Sequence, residues 1–219
     1  MLTEKIRARF PALSSPLGRV LGVLALAVAL QAIRWFSLGE IAHRQMKVEG
    51  LFPAHIDLLC RWDCAHYADA ATEFTAEQAV FFPFFSWVIR GFVNLFPYVS
   101  VREAAVILSN GAALAAAGWM IAARNAFDST LLRRNFSAWV AVLVFAFPFS
   151  YFFSTGYAEA LFFLELVGAF ALLHSGRYAL AAVFVGILSV TRIQGTLAIP
   201  IFAWLMLREK ERSPERIIA

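Results

Sequence analysis

Residues 80–98 read VFFPFFSWVIRGFVNLFPY. The path of this stretch decides how the whole chain is arranged. It is apolar enough to enter a bilayer, but Pro83 and Pro97 bracket it and Arg90 interrupts it. Crossing a membrane takes about 20 consecutive apolar residues in a helix, and a proline removes a backbone donor from one. Two readings follow: a full crossing, or a shallow helix lying at the membrane interface.

The remainder of the chain puts that choice inside a membrane. The 219 residues are 61% hydrophobic and 16% charged, with 22 Phe, whereas an average soluble domain is about 25% charged. Apolar runs near the length of a crossing lie at about 18–38, 104–123, 136–153, 157–174, 178–191 and 195–208. The N-terminus has a basic front and an apolar core, as a signal peptide does. That core, Val20 to Ile33, continues through Arg34, Trp35 and Phe36 without a small-residue cleavage site. It reads as an uncleaved first span. The net charge of +4 does not point to nucleic acid as a partner, because the basic residues sit between apolar runs and no aromatic-interleaved basic face is present.

Lys and Arg choose between the two readings, because cytoplasmic loops carry an excess of them. Take Lys5, Arg7, Arg9 and Arg19 as inside, with 80–98 not crossing. Three further basic groups then also fall inside: Arg124, Arg133 and Arg134; Arg177; and Arg208, Lys210, Arg212 and Arg216. That arrangement places 12 of the 19 Lys and Arg residues inside. If 80–98 crosses, these groups land outside, so the non-crossing arrangement is preferred. The expected fold class is all-α: one polytopic transmembrane helical bundle over 1–219. It has six full spans and one interfacial or re-entrant segment, about six to seven membrane segments in all. Residues 39–80 form the first outer loop. The expected location is a bacterial inner membrane or an ER-like membrane.

This arrangement brings three polar clusters to one outer face: RWDCAHY (61–67), FFSTGYAEA (152–160) and TRIQG (191–195). Asp63 follows Trp62, whose indole suits the headgroup layer. A carboxylate there could take a proton from a sugar hydroxyl as a general base. His66 would share the Asp63 face of a helix and could orient an acceptor or bind phosphate. Arg61 could pair with Asp57 or meet a lipid phosphate. Glu159 and Arg192 sit near the ends of apolar spans, where an ionisable group is costly and marks a functional candidate. They could instead form a structural ion pair. The planar fork of Arg192 suits a phosphate. Gln194 follows it, and Gly195 would permit close approach of backbone to a ligand. Glu165 lies on broadly the same helix face as Glu159, as part of a polar track or as a partner for a neighbouring helix. Phe81, Phe82, Phe84 and Phe85 could line a groove for a polyprenyl tail or simply anchor the interface.

Cys60 and Cys64 are four apart and would share a helix face, a spacing open to a disulfide or a metal. No second such pair supports zinc. Cysteines also serve as small apolar residues, and that is the role expected here.

The elements RWDCAHY, FFPFF, FPFSYFFSTGYAEALFF and TRIQG follow one another in this order. Together they resemble the PIG-V family, the GPI mannosyltransferase 2-like proteins and their bacterial relatives. That family has a WD-containing first outer loop, an FFP segment, an SxxYSE-LF element and a TRxxG-like element. Each motif is short, but four in order over roughly residues 58–205 make a fairly specific pattern.

The resemblance implies a polytopic glycosyltransferase of the GT-C type, using dolichyl- or polyprenyl-phosphate mannose instead of a nucleotide sugar. It implies that Asp63 is the catalytic base with His66 close by. Tyr157 and Glu159 match the YSE element, and Arg192 matches the arginine of TRxxG. Ala158 stands where that element has serine, so no hydroxyl contact carries over. Family members are usually longer, and the chain reads as a shortened form. An inverting transfer needs a base for the acceptor and positive charge for the departing lipid phosphate, which Arg192 or Arg61 could supply. Gln194 completes the expected substrate contacts. The clustered carboxylates are too few for a Mg²⁺ cage; no cofactor is called for, and a divalent metal requirement is left open. The expected partners are membrane lipid, the polyprenyl-phosphate sugar, an acceptor glycan or glycolipid, and a partner subunit if the chain acts within a complex. A non-catalytic truncated paralogue or subunit that binds a polyprenyl-phosphate lipid or a partner protein is the alternative. A small transporter ranks last, since no inverted repeat is visible.

Overall fold

The computed structural model describes residues 16–46, 56, 58–123 and 143–212. Among these the chain is all-helical, with no strand. Seven α-helices are α1 (Pro16–Met46), α2 (Asp63–Thr72), α3 (Phe84–Leu95), α4 (Val101–Ala122), α5 (Glu159–His174), α6 (Tyr178–Thr191) and α7 (Gln194–Arg212). Short 3₁₀ turns cover Ala76–Val80 and Pro148–Phe153.

Two of these helices are long and apolar enough to cross a membrane: α1, over Leu24–Ile41, and α4. The sequence reading called for six to seven membrane segments; length accounts for α5, α6 and the helical part of 80–98, and charge for the 19-residue α7, which ends in REKER. At about 1.5 Å per residue, the 16 residues of α5 and the 14 of α6 reach about 24 and 21 Å, short of a hydrocarbon core of about 30 Å. The helical part of 80–98 is the 12-residue α3, only about 18 Å long. Helix α1 runs on to Met46, into the stretch assigned to the first outer loop.

The run 136–153 is not a continuous helix. Residues 136–142 and the basic group Arg124, Arg133 and Arg134 lie outside the described residues. A helical turn at 143–146 gives way at Phe147, which is extended (φ −69°, ψ 140°), and a 3₁₀ turn begins at Pro148. The proline ring disfavours helical backbone in the residue before it, so the apolar run breaks there.

Helix α4 organises the fold. It packs against α1 on one side, α5 on another, and α2 and α3 near its start, while α5, α6 and α7 follow as a row of antiparallel neighbours. Its start is fixed by a capping box: Ser100 Oγ accepts from the Glu103 amide (3.3 Å) and the Glu103 carboxylate accepts from the Ser100 amide (2.8 Å), satisfying donors a helix end leaves open. Ala104, Ala105, Ala112, Ala113, Ala116 and Ala117 are buried along it, and such small side chains let helices approach closely. Gly168 of α5 does the same: a methyl there would meet the Phe184 ring at 2.6 Å and Trp119 at 2.8 Å. Large apolar side chains point outward instead, including Leu26, Ile33 and Phe36 on α1 and Leu197, Ile201 and Trp204 on α7.

Candidate functional site

Three chain segments meet around the start of α2. Asp63 is the first residue of α2, Glu159 the first of α5, and Arg192 the residue that ends α6. Arg192 Nη1 donates to Glu159 Oε1 at 2.7 Å, and both side chains are about one quarter exposed. Arg192 Nε donates weakly to Gln194 Oε1 at 3.4 Å. The guanidinium has five N–H donors, so these two contacts leave others directed elsewhere. The charge of Asp63 reaches the Glu159 carboxyl, and both carboxylates add to burial in raising the Tyr157 phenol. Asp63, Tyr157, Glu159 and Arg192, distant in sequence, therefore share one site. Glu159 Oε2 is buried and meets no hydrogen-bond donor among the described residues.

Tyr67 belongs to the same site, and the sequence reading did not single it out. It is i+4 from Asp63 and so on the same helix face. Its ring is buried edge-on against Phe81 and Phe85 at 5.2 and 5.3 Å. Burial pushes its phenol up to about 12; Arg192 pulls the other way, and Glu159 and Asp63 reinforce the rise. A raised value stabilises the fold fully below the unfolded tyrosine value of about 10, and that contribution is lost as pH climbs through about 12. The difference between wild type and Tyr67→Phe in tyrosinate absorbance should therefore titrate near pH 12. A difference centred near 10 would show a hydroxyl in contact with water.

The other expected residues are placed differently. His66 is exposed and stacks on Phe81 (4.8 Å, 19° between planes). Arg61 is half-buried two residues before Asp63; Asp57, its suggested partner, lies outside the described residues. Gln194 is exposed at the start of α7. Gly195 approaches backbone, not a ligand: a methyl there would collide with the Leu188 carbonyl at the end of α6. Glu165 is buried, and its Oε1 lies 3.0 Å from the Thr191 hydroxyl of α6. It thus pins α5 to α6 one residue before Arg192.

Of the four phenylalanines around Pro83, Phe85 lines an apolar groove. The cleft, about 360 Å³, is apolar and also lined by Val88, Phe92, Leu108, Gly111 and Leu161. Phe81 packs on His66 and Tyr67 instead. The cysteines do not serve merely as small apolar residues: Cys60 and Cys64 form a disulfide, which removes both thiols from any metal reading. Among the described residues no group of three or more His, Cys, Asp or Glu side chains is placed to hold a metal.

A polar network supports the segment that carries Tyr157 and Glu159. Arg34 of α1 donates through Nη1 to Gln31 Oε1 (2.8 Å), the Ser150 carbonyl (2.9 Å) and Ser154 Oγ (2.7 Å), and through Nη2 to the Phe145 carbonyl. Gln31 Nε2 donates to Asn110 Oδ1 at 3.0 Å, and Asn110 Nδ2 donates to the Ser154 carbonyl at 2.9 Å. Buried backbone outside a regular helix needs hydrogen-bond partners, and these side chains supply them around the break at Pro148. Ser109 Oγ adds a bond to the Tyr157 carbonyl at 3.2 Å. No protein-family model matches the chain, and neither a curated protein nor a solved structure matches it.

Proposed function

We propose that the chain is a multi-pass membrane glycosyltransferase. It moves a sugar, mannose on the resemblance to PIG-V-like proteins, from a polyprenyl- or dolichyl-phosphate donor to a hydroxyl of an acceptor glycan or glycolipid. Transfer takes place at the outer or luminal face. The observation that carries this reading is the gathering of Asp63, Glu159 and Arg192 from three distant segments at one end of the helices. Residues that meet at one end lie on one side of any bilayer, which supports the topology drawn from the Lys and Arg distribution.

In the proposed step Asp63 takes the proton of the acceptor hydroxyl as its oxygen bonds to the anomeric carbon. The bond from that carbon to the phosphate oxygen breaks on the opposite face, so the configuration inverts. The electron pair leaves with the lipid phosphate, and the free donors of Arg192 stabilise its charge. The unpaired oxygen of Glu159 accepts a sugar hydroxyl. The apolar cleft between α3, α4 and α5 suits the isoprenoid tail.

The test is transfer from radiolabelled polyprenyl-phosphate mannose in proteoliposomes of the purified chain. Labelled glycan with release of polyprenyl phosphate is the expected result, and a nucleotide sugar should not replace the donor. The Glu159–Arg192 ion pair favours a second reading, a non-catalytic lipid-binding subunit, because it already occupies part of the guanidinium. Donor binding without turnover would select that reading.

A further inference from the structure

The Cys60–Cys64 disulfide takes no part in the transfer chemistry, yet it brackets the residue that chemistry depends on. Helix α2 begins at Asp63 without a side-chain cap hydrogen bond, and Trp62 before it has φ 50°, the one positive φ of a non-glycine residue among those described. Left-handed backbone at a bulky side chain persists only when its surroundings impose it. Here the disulfide closes residues 60–64 into a small ring that holds Arg61, Trp62 and Asp63 between two buried sulfurs; Cys60 is 2% exposed and Cys64 0%.

The ring is seated against the other half of the site. The Gly156 amide donates to the Leu59 carbonyl at 3.1 Å. A methyl on Gly156 would overlap Cys64 Sγ and press on Ala105 Cβ at 3.0 Å, so the sulfur occupies the space that glycine leaves. Cys60, Cys64, Tyr67, Tyr157 and Ala158 belong to one buried cluster. The same bond that closes the ring thus docks it on the segment leading into Glu159.

We propose that the Cys60–Cys64 disulfide is a positioning clasp, which sets Asp63 against Tyr157 and Glu159 and is closed only on the oxidising side of the membrane. Closure is thiol–disulfide exchange. One thiolate attacks the disulfide of an oxidising carrier and forms a mixed disulfide. The second thiolate displaces the carrier. The bond between Cys60 and Cys64 forms, and two electrons and two protons end on the carrier's reduced thiols. Such carriers act outside the cytosol, the side on which the Lys and Arg distribution also puts residues 58–67. The effect on turnover rests on the transferase reading; the effect on geometry does not.

The chain has two cysteines, so the test is clean. Full-length protein from native membranes, denatured and treated with a polyethylene-glycol maleimide, should gain no adduct until a reductant is added, and then two. Amide hydrogen exchange is then compared for the oxidised chain, the same chain reduced in place, and the Cys60→Ala/Cys64→Ala variant. Exchange over 61–67 should quicken at least tenfold on reduction and in the variant, with α6 unchanged. In the transfer assay the variant should lose kcat by roughly 100-fold with KM for polyprenyl-phosphate mannose within twofold. Free thiols in the native protein, unchanged exchange over 61–67, or full transfer by the variant would each overturn the clasp. So would quickened exchange that spreads through α6, because that marks a general folding role. Quickened exchange confined to 61–67, in a wild-type chain that transfers no sugar, keeps the clasp and removes the transferase reading.

Discussion

Asp63→Asn is expected to lower kcat for sugar transfer by about 10³-fold, within the range of about 10²–10⁴ that a positioned general base supplies. That is roughly 4 kcal/mol of transition-state stabilisation. The amide keeps the size and shape of the side chain but cannot take the acceptor proton. The interaction it removes develops only as the new bond forms, so kcat and kcat/KM should fall together while KM for the lipid donor stays put. Folding should survive, because Asp63 is half-buried at the first position of α2; losing its charge near the helix N-terminus costs only about 0.3–1 kcal/mol. Glu159→Gln makes the contrast. It breaks the 2.7 Å pair with Arg192, whose worth lies between about 0–1 kcal/mol for exposed pairs and about 3–5 for buried ones, and it should change donor binding as well as rate. A normally inserted Asp63→Asn chain with undiminished turnover would take Asp63 out of the base role.

The parts of the fold that hydropathy reads well were legible in the sequence. Helices α4, α6 and α7 lie within a few residues of the apolar runs that forecast them, because a long apolar run satisfies its backbone most simply as a helix. The break at Pro148 was not legible in the same way. Residues 136–153 are as apolar as a crossing, and composition does not register that a proline forces Phe147 extended. The site was half legible. Asp63, Glu159 and Arg192 were chosen from polar residues among the apolar runs, and Tyr157 only from the resemblance; the four do gather. Tyr67 was missed although its i+4 spacing from Asp63 stood in the sequence. The disulfide was also within reach of the spacing, but the common role of cysteine as a small apolar residue outweighed it. The Glu165–Thr191 contact is of another kind. It depends on how α5 crosses α6, which no local pattern specifies.

The largest effect on stability is expected at Arg34, a residue the sequence presents only as the tail of an apolar run. Between Phe145 and Ser154 the backbone leaves the regular helix for a 3₁₀ turn, which weakens the regular pairing of its carbonyls. Arg34 supplies donors to the Phe145 and Ser150 carbonyls and to the Ser154 hydroxyl. Leaving a buried acceptor unmet costs about 1–3 kcal/mol. Replacing the guanidinium with a thioether of similar length takes a charged donor from the Phe145 and Ser150 carbonyls and from the Ser154 hydroxyl, and releases Gln31 Oε1 as well. Arg34→Met should therefore cost about 4 kcal/mol, read as a fall of roughly 10 °C in Tm for the detergent-solubilised chain. Arg34→Lys should recover only part of it, because an ammonium group cannot present the planar fork that reaches Ser150 and Phe145 together. Arg90, exposed on α3, provides the control, and Arg90→Met should leave Tm within about 2 °C. The site should loosen along with the fold, since the segment that Arg34 holds runs directly into Tyr157 and Glu159. A Tm for Arg34→Met equal to that of the control would mean that water or lipid headgroups, not Arg34, satisfy this backbone, and the network would lose its place as the support of the site.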